Sequence, residues 1–446
     1  MHAPLPPETL IRTTTALCRR CNDSHPAKVV VKNGNVVGVT HCPKGDEEVM
    51  ISSNPDLYLE LTQRSPTRPE EPPPENLKFV LNYLSITNAC NFQCTVCGTN
   101  AGGPDKHTYL SLDEICKRAG RAYDEGARIL HLFGGEPTLH KEIFTIIQRL
   151  TDMGLSVGLV TNGYRLGRDP DYAAKLKAHG LQRVCLQFDS LDCESLCILS
   201  RDYLDEKKLA IRHALDAGMD LGLNCTVTRR TLNELVALVD HGISLGAGVR
   251  NMTFGCAAPV GRFLISKDNT VDREQIVAAL TKNGDNPYFE LDDVLPLPAF
   301  LPLGMQVHPD CGVHILLLRN PKGAVPLNRF VDLRHLYARL GTIKSSTGFG
   351  ARRLRPLLEF CRCLRMKRLP GFLKWLVPSL CKRKEYGMLN IGITDYRAAE
   401  FLDEQRLGRC ASAFHTSAGP IRSCLHFYQR SDIPGTLEYE AEHQSC

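Results

Sequence analysis

The sequence lacks any uninterrupted apolar run approaching the roughly 18 residues of a membrane-spanning helix, which argues against an integral helical membrane protein. Its first residues, MHAPLPPETLIRTTT, lack the basic-then-apolar order of a secretory signal. These two absences predict an intracellular, cytoplasmic protein. No self-similarity recurs at the roughly 20–50-residue periods of repeat architectures. The chain also lacks a strong charge of either sign: 54 basic and 49 acidic residues leave a formal +5, and 43 % of residues are apolar. That balance argues against a wholly disordered chain and against a general nucleic-acid binder. At 446 residues the chain has room for two or three domains and a large core.

Cysteine, by contrast, is in excess. Nineteen thiols are an odd number, so complete pairing within one chain is impossible. With no secretory signal, clustered thiols favour metal or iron–sulfur binding over a disulfide framework. Charge is also uneven. Residues 351–385 hold eleven Lys and Arg against Glu359 and Glu385, and the rest of the chain is mildly acidic.

Residues 1–64 read as a small module with Cys18-x-x-Cys21 and, later, Cys42. Between them Asn33-Gly34 interrupts two valine-rich runs, a strong hairpin signal. Residues 65–76 are rich in proline and charge and read as an extended linker. From 77 to 264 the pattern becomes regular. Short β-branched or apolar runs near 79–86, 128–133, 156–161, 183–188, 220–227 and 249–254 alternate with helical periodicity near 111–126, 140–153, 170–179, 203–217 and 231–244. The alternation predicts right-handed β–α crossovers and an α/β fold, a partial (β/α)6 TIM-like barrel with its chemistry at the C-terminal strand ends. Residues 265–446 are less regular and read as a C-terminal domain containing a strand, HILLLRN.

The segment LSITNACNFQCTVCGTN places Cys90, Cys94 and Cys97 in one loop directly after the first barrel strand. Three thiolates at that spacing can hold a corner of a [4Fe–4S] cube and leave one iron without a protein ligand. A zinc knuckle would need a fourth ligand, for which His107 is the nearest histidine and a distant one. The second strand ends in Gly134-Gly135-Glu136-Pro137. Paired glycines let backbone approach a ligand closely, and Glu136 can accept from a cationic amine; a tight turn before a helix is the alternative. Later strand ends offer Thr161, Asn162 and Gly163, then Gln187, Asp189 and Ser190, then Asn224 and Thr226, either as ligand contacts or as ordinary loop caps.

Together the two motifs resemble the radical S-adenosylmethionine (SAM) superfamily over roughly residues 79–256. The resemblance implies that Cys90, Cys94 and Cys97 hold a [4Fe–4S] cluster whose open iron chelates SAM. Val96 would lie near adenine, the turn Gly134, Gly135, Glu136 and Pro137 at the SAM amine, and Asn162, Gln187 and Asp189 around the cofactor. Reduction by a reductase, flavodoxin or ferredoxin would release a 5′-deoxyadenosyl radical that takes hydrogen from an inert C–H bond.

More narrowly, LCRRC…HCPKG, GGEPT, VTNG, CLQFD, HPDCG and RC…SC resemble a subfamily containing tetraether-lipid synthase and a dihydro-hydroxymethylpterin methyltransferase. This implies a mononuclear Fe or Zn site at Cys18, Cys21 and Cys42, completed by His25, His41 or a residue from elsewhere. It also implies one or more auxiliary iron–sulfur clusters in the C-terminal domain, using Cys311, Cys410 and Cys424 with Cys256, Cys361, Cys363 or Cys381 as a fourth thiol. Cys116, Cys185, Cys193, Cys197, Cys225 and Cys446 carry no motif and read as small buried hydrophobes.

Within 352–383, apolar residues recur at helical spacing with Lys and Arg beside them, and the pattern breaks at Pro370. Such helices either pack on the barrel or rest on an anionic membrane surface. The sequence thus predicts a radical SAM enzyme that forms a carbon–carbon bond, by chain coupling or C-methylation, on a lipid. Methylation of a pterin-like or other small molecule, peptide modification, and a non-catalytic zinc protein are the alternatives.

Overall fold

A computed structural model describes residues 8–65, 67–69, 79–103, 107–281, 289–295, 308–341, 351–382, 385–395, 400–429 and 436. Most of the proline-rich stretch 65–76 therefore lies outside the described residues. The chain divides into two units whose segments interleave: residues 1–77, 235–254 and 271–409 form one, and 78–234, 255–270 and 410–446 the other.

The second unit is built on parallel strands β1 (Leu81–Thr87), β2 (Ile129–Gly134), β3 (Ser156–Thr161), β4 (Arg183–Gln187) and β5 (Asp220–Val227). Helices Leu112–Asp124, Ile143–Asp152, Pro170–Ala178 and Leu204–Asp216 connect them. Each helix follows from a local signal. Ser111 caps the first by accepting from the Glu114 N–H, and Asp169-Pro170 starts the third. Ile143, Ile146, Ile147 and Leu150 form the buried stripe of the second. The expected sixth strand is present at Val249–Cys256, of which residues 249–254 belong to the first unit. Two strands from the end of the chain complete the unit: β6 (Ser412–Thr416) lies parallel to β1, and β7 (Gly419–Arg422) pairs antiparallel with β6. The order is β5-β4-β3-β2-β1-β6-β7.

Register sorts the two faces of this sheet. Leu84, Leu130, Leu132, Leu159, Val184, Leu186, Leu221 and Leu223 are buried. The alternate positions form rows Tyr83–His131–Gly158–Arg183 and Ser85–Phe133, then Val160–Cys185–Gly222, with Gln187 beside Asn224 nearer the C-terminal ends. A Cβ on Gly158 would meet both His131 and Arg183, so those side chains share one face.

The first unit opens with an antiparallel sheet ordered Leu402–Asp403, Glu8–Leu17, Ser24–Lys32, Asn35–Thr40, Glu47–Ser52. The Asn33-Gly34 turn has φ of 51° and 75°, the left-handed pair a two-residue hairpin requires. Ala16, Val29, Val36, Ile51, Tyr58 and Phe401 make its core. The same unit holds Gly312–Asn320, the predicted HILLLRN strand, between Gly323–Pro326 and Gly387–Thr394. Helix Leu333–Gly341 precedes the basic segment, and helices Ala351–Arg362 and Leu369–Cys381 lie within it. The expected break at Pro370 falls earlier, over residues 363–368, and Pro370 instead lies in the first turn of the second helix. There its missing N–H has no helical acceptor to lose.

Candidate active site and metal centre

Past β1 the chain turns through Asn88 and Ala89 into the loop of Cys90, Cys94 and Cys97, of which Cys94 is buried and the others half-buried. Side chains hold this loop by its backbone. Arg262 donates to the Cys94 carbonyl at 2.7 Å and the Ala101 carbonyl at 2.9 Å. Arg201 donates to the Val96 carbonyl at 2.7 Å. The Val96 side chain is buried with Leu199 and Ala257.

The Gly-Gly turn explains its own composition. A Cβ on Gly134 would lie 2.1 Å from the Thr87 carbonyl oxygen, and one on Gly135 would lie 2.1 Å from that of Ala89. Only glycine lets this turn press against the residues leading into Cys90. In return the Gly135 and Glu136 N–H groups donate to the Thr87 and Ala89 carbonyls, each at 2.8 Å.

Glu136 does something other than wait for an amine. It is 1 % exposed. Its Oε1 accepts from Thr138 N–H, Thr138 Oγ1 and Thr161 Oγ1, at 3.1, 2.7 and 2.7 Å, and its Oε2 accepts from the Asn162 N–H at 2.8 Å. Burial pushes its carboxyl above the ordinary value even against those donors. The carboxylate thus ties the ends of β2 and β3 together, with one acceptor position left on Oε2. Pro137 starts the short turn Pro137–Leu139. Asn162 continues the bracing, since its Nδ2 donates to Asn91 Oδ1, next to Cys90, at 2.9 Å.

Gln187 and Asp189 surround Arg201. Asp189 is fully buried; its Oδ1 accepts from Arg201 Nη1 at 2.9 Å and from the Thr226 N–H at 2.7 Å, while its buried Oδ2 has no hydrogen-bond partner among the described residues. With its amide oxygen turned toward Arg201, Gln187 accepts from the guanidinium at 3.0 to 3.3 Å. Lys207 donates to the Gln187 carbonyl at 2.6 Å, and burial brings its ammonium down to about 8. Arg201 and Lys207 carry no motif, and Asn91 and Thr138 lie inside the two motifs without being singled out as site residues. Their signal is only that they are polar residues beside predicted strand ends.

Electrostatics set the two half-buried thiols of the loop apart. Burial, and then the Glu136 charge, push the Cys90 thiol up to about 12. Burial opposes ionisation of Cys97 too, but hydrogen bonds from Thr99 and from nearby backbone bring it below its usual value. Thiolate ligation at this loop, beside the buried Glu136 carboxylate, calls for a cationic group to compensate it. The donor set, the glycine cradle and the unused Asp189 Oδ2 fit a [4Fe–4S] cluster with SAM.

Cys18, Cys21 and Cys42 form, among the described residues, the group whose ligand atoms all lie within 4.8 Å of one another. Cys21 Sγ and Cys42 Sγ are 3.8 Å apart. That is about the edge of a tetrahedron with 2.3 Å metal–sulfur bonds. The Arg20 and Lys44 N–H groups donate to Cys18 Sγ and Cys42 Sγ, each at 3.4 Å, so both short turns curl around their sulfur. His25 Nε2 is 3.1 Å from Cys21 Sγ, whereas exposed His41 pairs with Asp46 at 3.0 Å. Of the two histidines weighed from sequence, only His25 faces the thiols.

The auxiliary thiols are not brought into such a group among the described residues. Cys410 and Cys424 lie in the second unit with buried Cys256; Cys311 lies in the first at the end of the turn Pro309–Cys311. Cys363 is buried in an apolar core, and Cys361 and Cys381 are exposed. Cys446 lies outside the described residues.

Residues 84–242 match the radical SAM superfamily and form a radical SAM domain. Over 151 residues the chain is 36 % identical to a GTP 3′,8-cyclase of Pectobacterium atrosepticum, covering 32 % of this chain and 44 % of that protein. Over 229 residues it is 29 % identical to a GTP 3′,8-cyclase of Campylobacter jejuni, covering 49 % of this chain and 69 % of the relative. The chain therefore spans less than half the length of the first relative. Among solved structures, the FeFe-hydrogenase maturase of Carboxydothermus hydrogenoformans shares 18 % identity over 50 % of this chain and 55 % of its own, with a TM-score of 0.39. The two cyclase relatives do not support the narrower likeness to tetraether-lipid synthase.

Proposed function

We propose that this chain, whose residues 84–242 are a radical SAM domain, forms a carbon–carbon bond at an unactivated carbon of a lipid. The observation that carries the radical chemistry is the mutual bracing of the cysteine loop and the Gly134–Glu136 turn through Thr87, Ala89 and Asn91. When bound and reduced by one electron, the cluster–SAM pair would supply methionine and a 5′-deoxyadenosyl radical that takes one hydrogen atom from substrate. Coupling two chains removes a hydrogen from each joining carbon and so consumes two SAM, while methylation draws its carbon from the methyl group of a further SAM. Cys90, Cys94 and Cys97 would hold the cluster. The glycine turn would meet the amino acid end of SAM, and Glu136 would set the turn's position. Asp189 Oδ2 is an acceptor for a cofactor hydroxyl.

The substrate reading rests on the inner sheet face. Among the described residues of the second unit it offers Tyr83, Phe133, Val160 and Cys185, with neutral Gln187 and Asn224 nearer the strand ends. On the strands Arg183 is the cation of that face, and it donates to Ser156 Oγ at 3.0 Å; at the strand ends Arg201 and Lys207 are taken up by Asp189 and Gln187. A nucleoside triphosphate, the substrate named for the cyclase relatives, calls for several convergent cations. A neutral, largely apolar chain suits this face better. In the N-terminal module, Cys18, Cys21, Cys42 and His25 supply the Cys3His set of a structural zinc site.

The test combines metal analysis, cofactor cleavage and lipid mass spectrometry. Anaerobic protein should contain iron, acid-labile sulfide and about one zinc, and should form 5′-deoxyadenosine under reduction. Cys94→Ala should abolish cleavage but keep zinc; His25→Ala should lower zinc but keep the cluster. Cells making the active protein should contain a lipid lacking two hydrogens, for coupling, or carrying an added methylene, for methylation. Unchanged lipids alongside active cleavage would overturn the substrate assignment. A zinc-only protein without sulfide would overturn the radical chemistry.

A further inference from the structure

The helix Leu369–Cys381 is apolar on two sides. Phe372, Trp375 and Leu376 turn inward onto Leu318, Val331 and Leu333, and the Trp375 indole N–H donates to the Arg319 carbonyl at 2.8 Å. On the outer side Leu373, Val377 and Leu380 are 43, 61 and 64 % exposed. Their i, i+4, i+7 spacing makes one stripe. The preceding helix and turn add Leu357, Leu358 and Met366, each at least half exposed. Among the described residues, six of the twelve exposed large hydrophobics thus fall within residues 357–380. Such a concentration marks an interaction surface, whereas scattered exposed leucines do not.

Charge identifies the partner. Arg362, Arg365, Lys367, Arg368, Lys374 and Lys382 are exposed around the stripe. Glu359 is buried and paired with Arg339 and Arg362, and the exposed acid, Glu385, pairs with Lys382 at 3.5 Å. A fringe almost wholly of one sign fits a partner that is uniformly negative over a plane. At 13 residues the helix is about 20 Å long, too short to cross a bilayer core of about 30 Å. No helix among the described residues is long and apolar enough to cross a membrane. An apolar stripe with cations beside it and a sub-spanning length is the pattern of a helix lying in the bilayer interface.

We propose that the surface formed by residues 357–382 docks flat on anionic phospholipid. Leu373, Val377 and Leu380 enter the headgroup–acyl boundary, and the surrounding Lys and Arg meet lipid phosphates. The other face of the same helix stays in the protein core, so docking requires no unfolding. This surface stands apart from the choice of substrate: an enzyme acting on a soluble molecule would still bind membranes through it.

The experiment is co-sedimentation of the full-length, cluster-loaded protein with phosphatidylcholine vesicles with and without phosphatidylglycerol, while 5′-deoxyadenosine formation is followed in the same samples. Binding should require phosphatidylglycerol and weaken as salt rises. The pair Val377→Asp and Leu380→Asp should lower the bound fraction about tenfold or more, and Lys367→Glu, Arg368→Glu and Lys374→Glu together should bring it to background. Unchanged emission from Trp375, the chain's one tryptophan, shows that the helix is still seated in each variant. Failure to bind phosphatidylglycerol vesicles at low salt overturns the proposal, as does binding that the Asp pair leaves intact. A dimer that the Asp pair dissolves also overturns it and reassigns the face to a second copy. Loss of cofactor cleavage with vesicle binding retained would count against the enzymatic reading and leave the docking surface standing.

Discussion

Between Cys94 and Cys97 one of the groups that hold the loop is the Arg201 guanidinium. Arg201 is 4 % exposed, donates to the Val96 carbonyl, and is charge-paired with fully buried Asp189 at 2.9 Å. Deleting the guanidinium leaves that carboxylate buried without a counter-charge, which costs about 3–5 kcal/mol. Arg201→Met should therefore lose that order of stability in urea denaturation and bind less iron. Arg201→Met combined with Asp189→Leu should recover much of the stability, because both charges go together. A double variant as unstable as the single one would show that the ion pair is not the cause. The residue was illegible in the sequence for a physical reason. Its partners Asp189, Thr226 and Val96 are 12, 25 and 105 positions away, and it follows a short helix in an irregular stretch. The three loop thiols, by contrast, are close neighbours in the chain, so local spacing alone gathers them. Glu136 shows the intermediate case: the motif identified the residue, but its hydrogen bonds to Thr138, Thr161 and Asn162 depend on two strand ends meeting.

Elements were more legible than contacts. The alternation of β-branched runs and helical stripes locates β1 to β5 and their helices, because each buries a regular face against its neighbours. What it does not contain is the placement of β6, five residues long, beside a strand more than 300 residues earlier. Pro370 was misread because proline reads as a helix breaker, whereas in a first turn it is a starter. The Gly134–Pro137 turn offers the sharpest test at this scale. Gly135→Ala puts a methyl 2.1 Å from the Ala89 carbonyl oxygen, and a backbone atom cannot yield without moving the chain into Cys90. The variant should fold but hold less iron and sulfide than the parent. Gly120→Ala is the control: in the helix Leu112–Asp124 its added methyl meets only Met153 at 3.5 Å, so stability should be unchanged or rise by about 0.5–1 kcal/mol. Equal cluster content in both variants would show that the turn does not position the loop.

At the scale of the whole molecule, acid stability follows from four histidines kept neutral. Burial brings His131, His308, His314 and His415 each down to about 4 from an ordinary 6.5. Below pH 6.5 the unfolded chain takes up protons that the folded chain refuses, so stability is lost as pH falls from about 6.5 toward 4. Near pH 5 each histidine contributes about 0.9 proton to that difference. Glu136, Glu274 and Asp293 oppose it, because burial raises their folded values and the native state then holds the extra proton. Even if all three were fully protonated when folded they would offset only about 2.5 protons, leaving a net uptake on unfolding of at least about one. Asp310, held well below its ordinary value because His308 and Arg12 outweigh burial, adds in the same direction below pH 4. The urea midpoint should thus fall steadily between pH 6.5 and 4.5, by at least about 1.4 kcal/mol of stability per pH unit near pH 5. Protonation of the cysteine ligands would also weaken the holoprotein in acid, so the slope alone does not identify the histidines. His415→Gln separates the two causes. Its ring N–H donates to Asn82 Oδ1 at 2.9 Å, and its loss should flatten the slope by about 1.2 kcal/mol per pH unit while cluster content stays constant. A slope unchanged in that variant would mean that this histidine is already charged in the fold, and that acid acts through the metal sites instead.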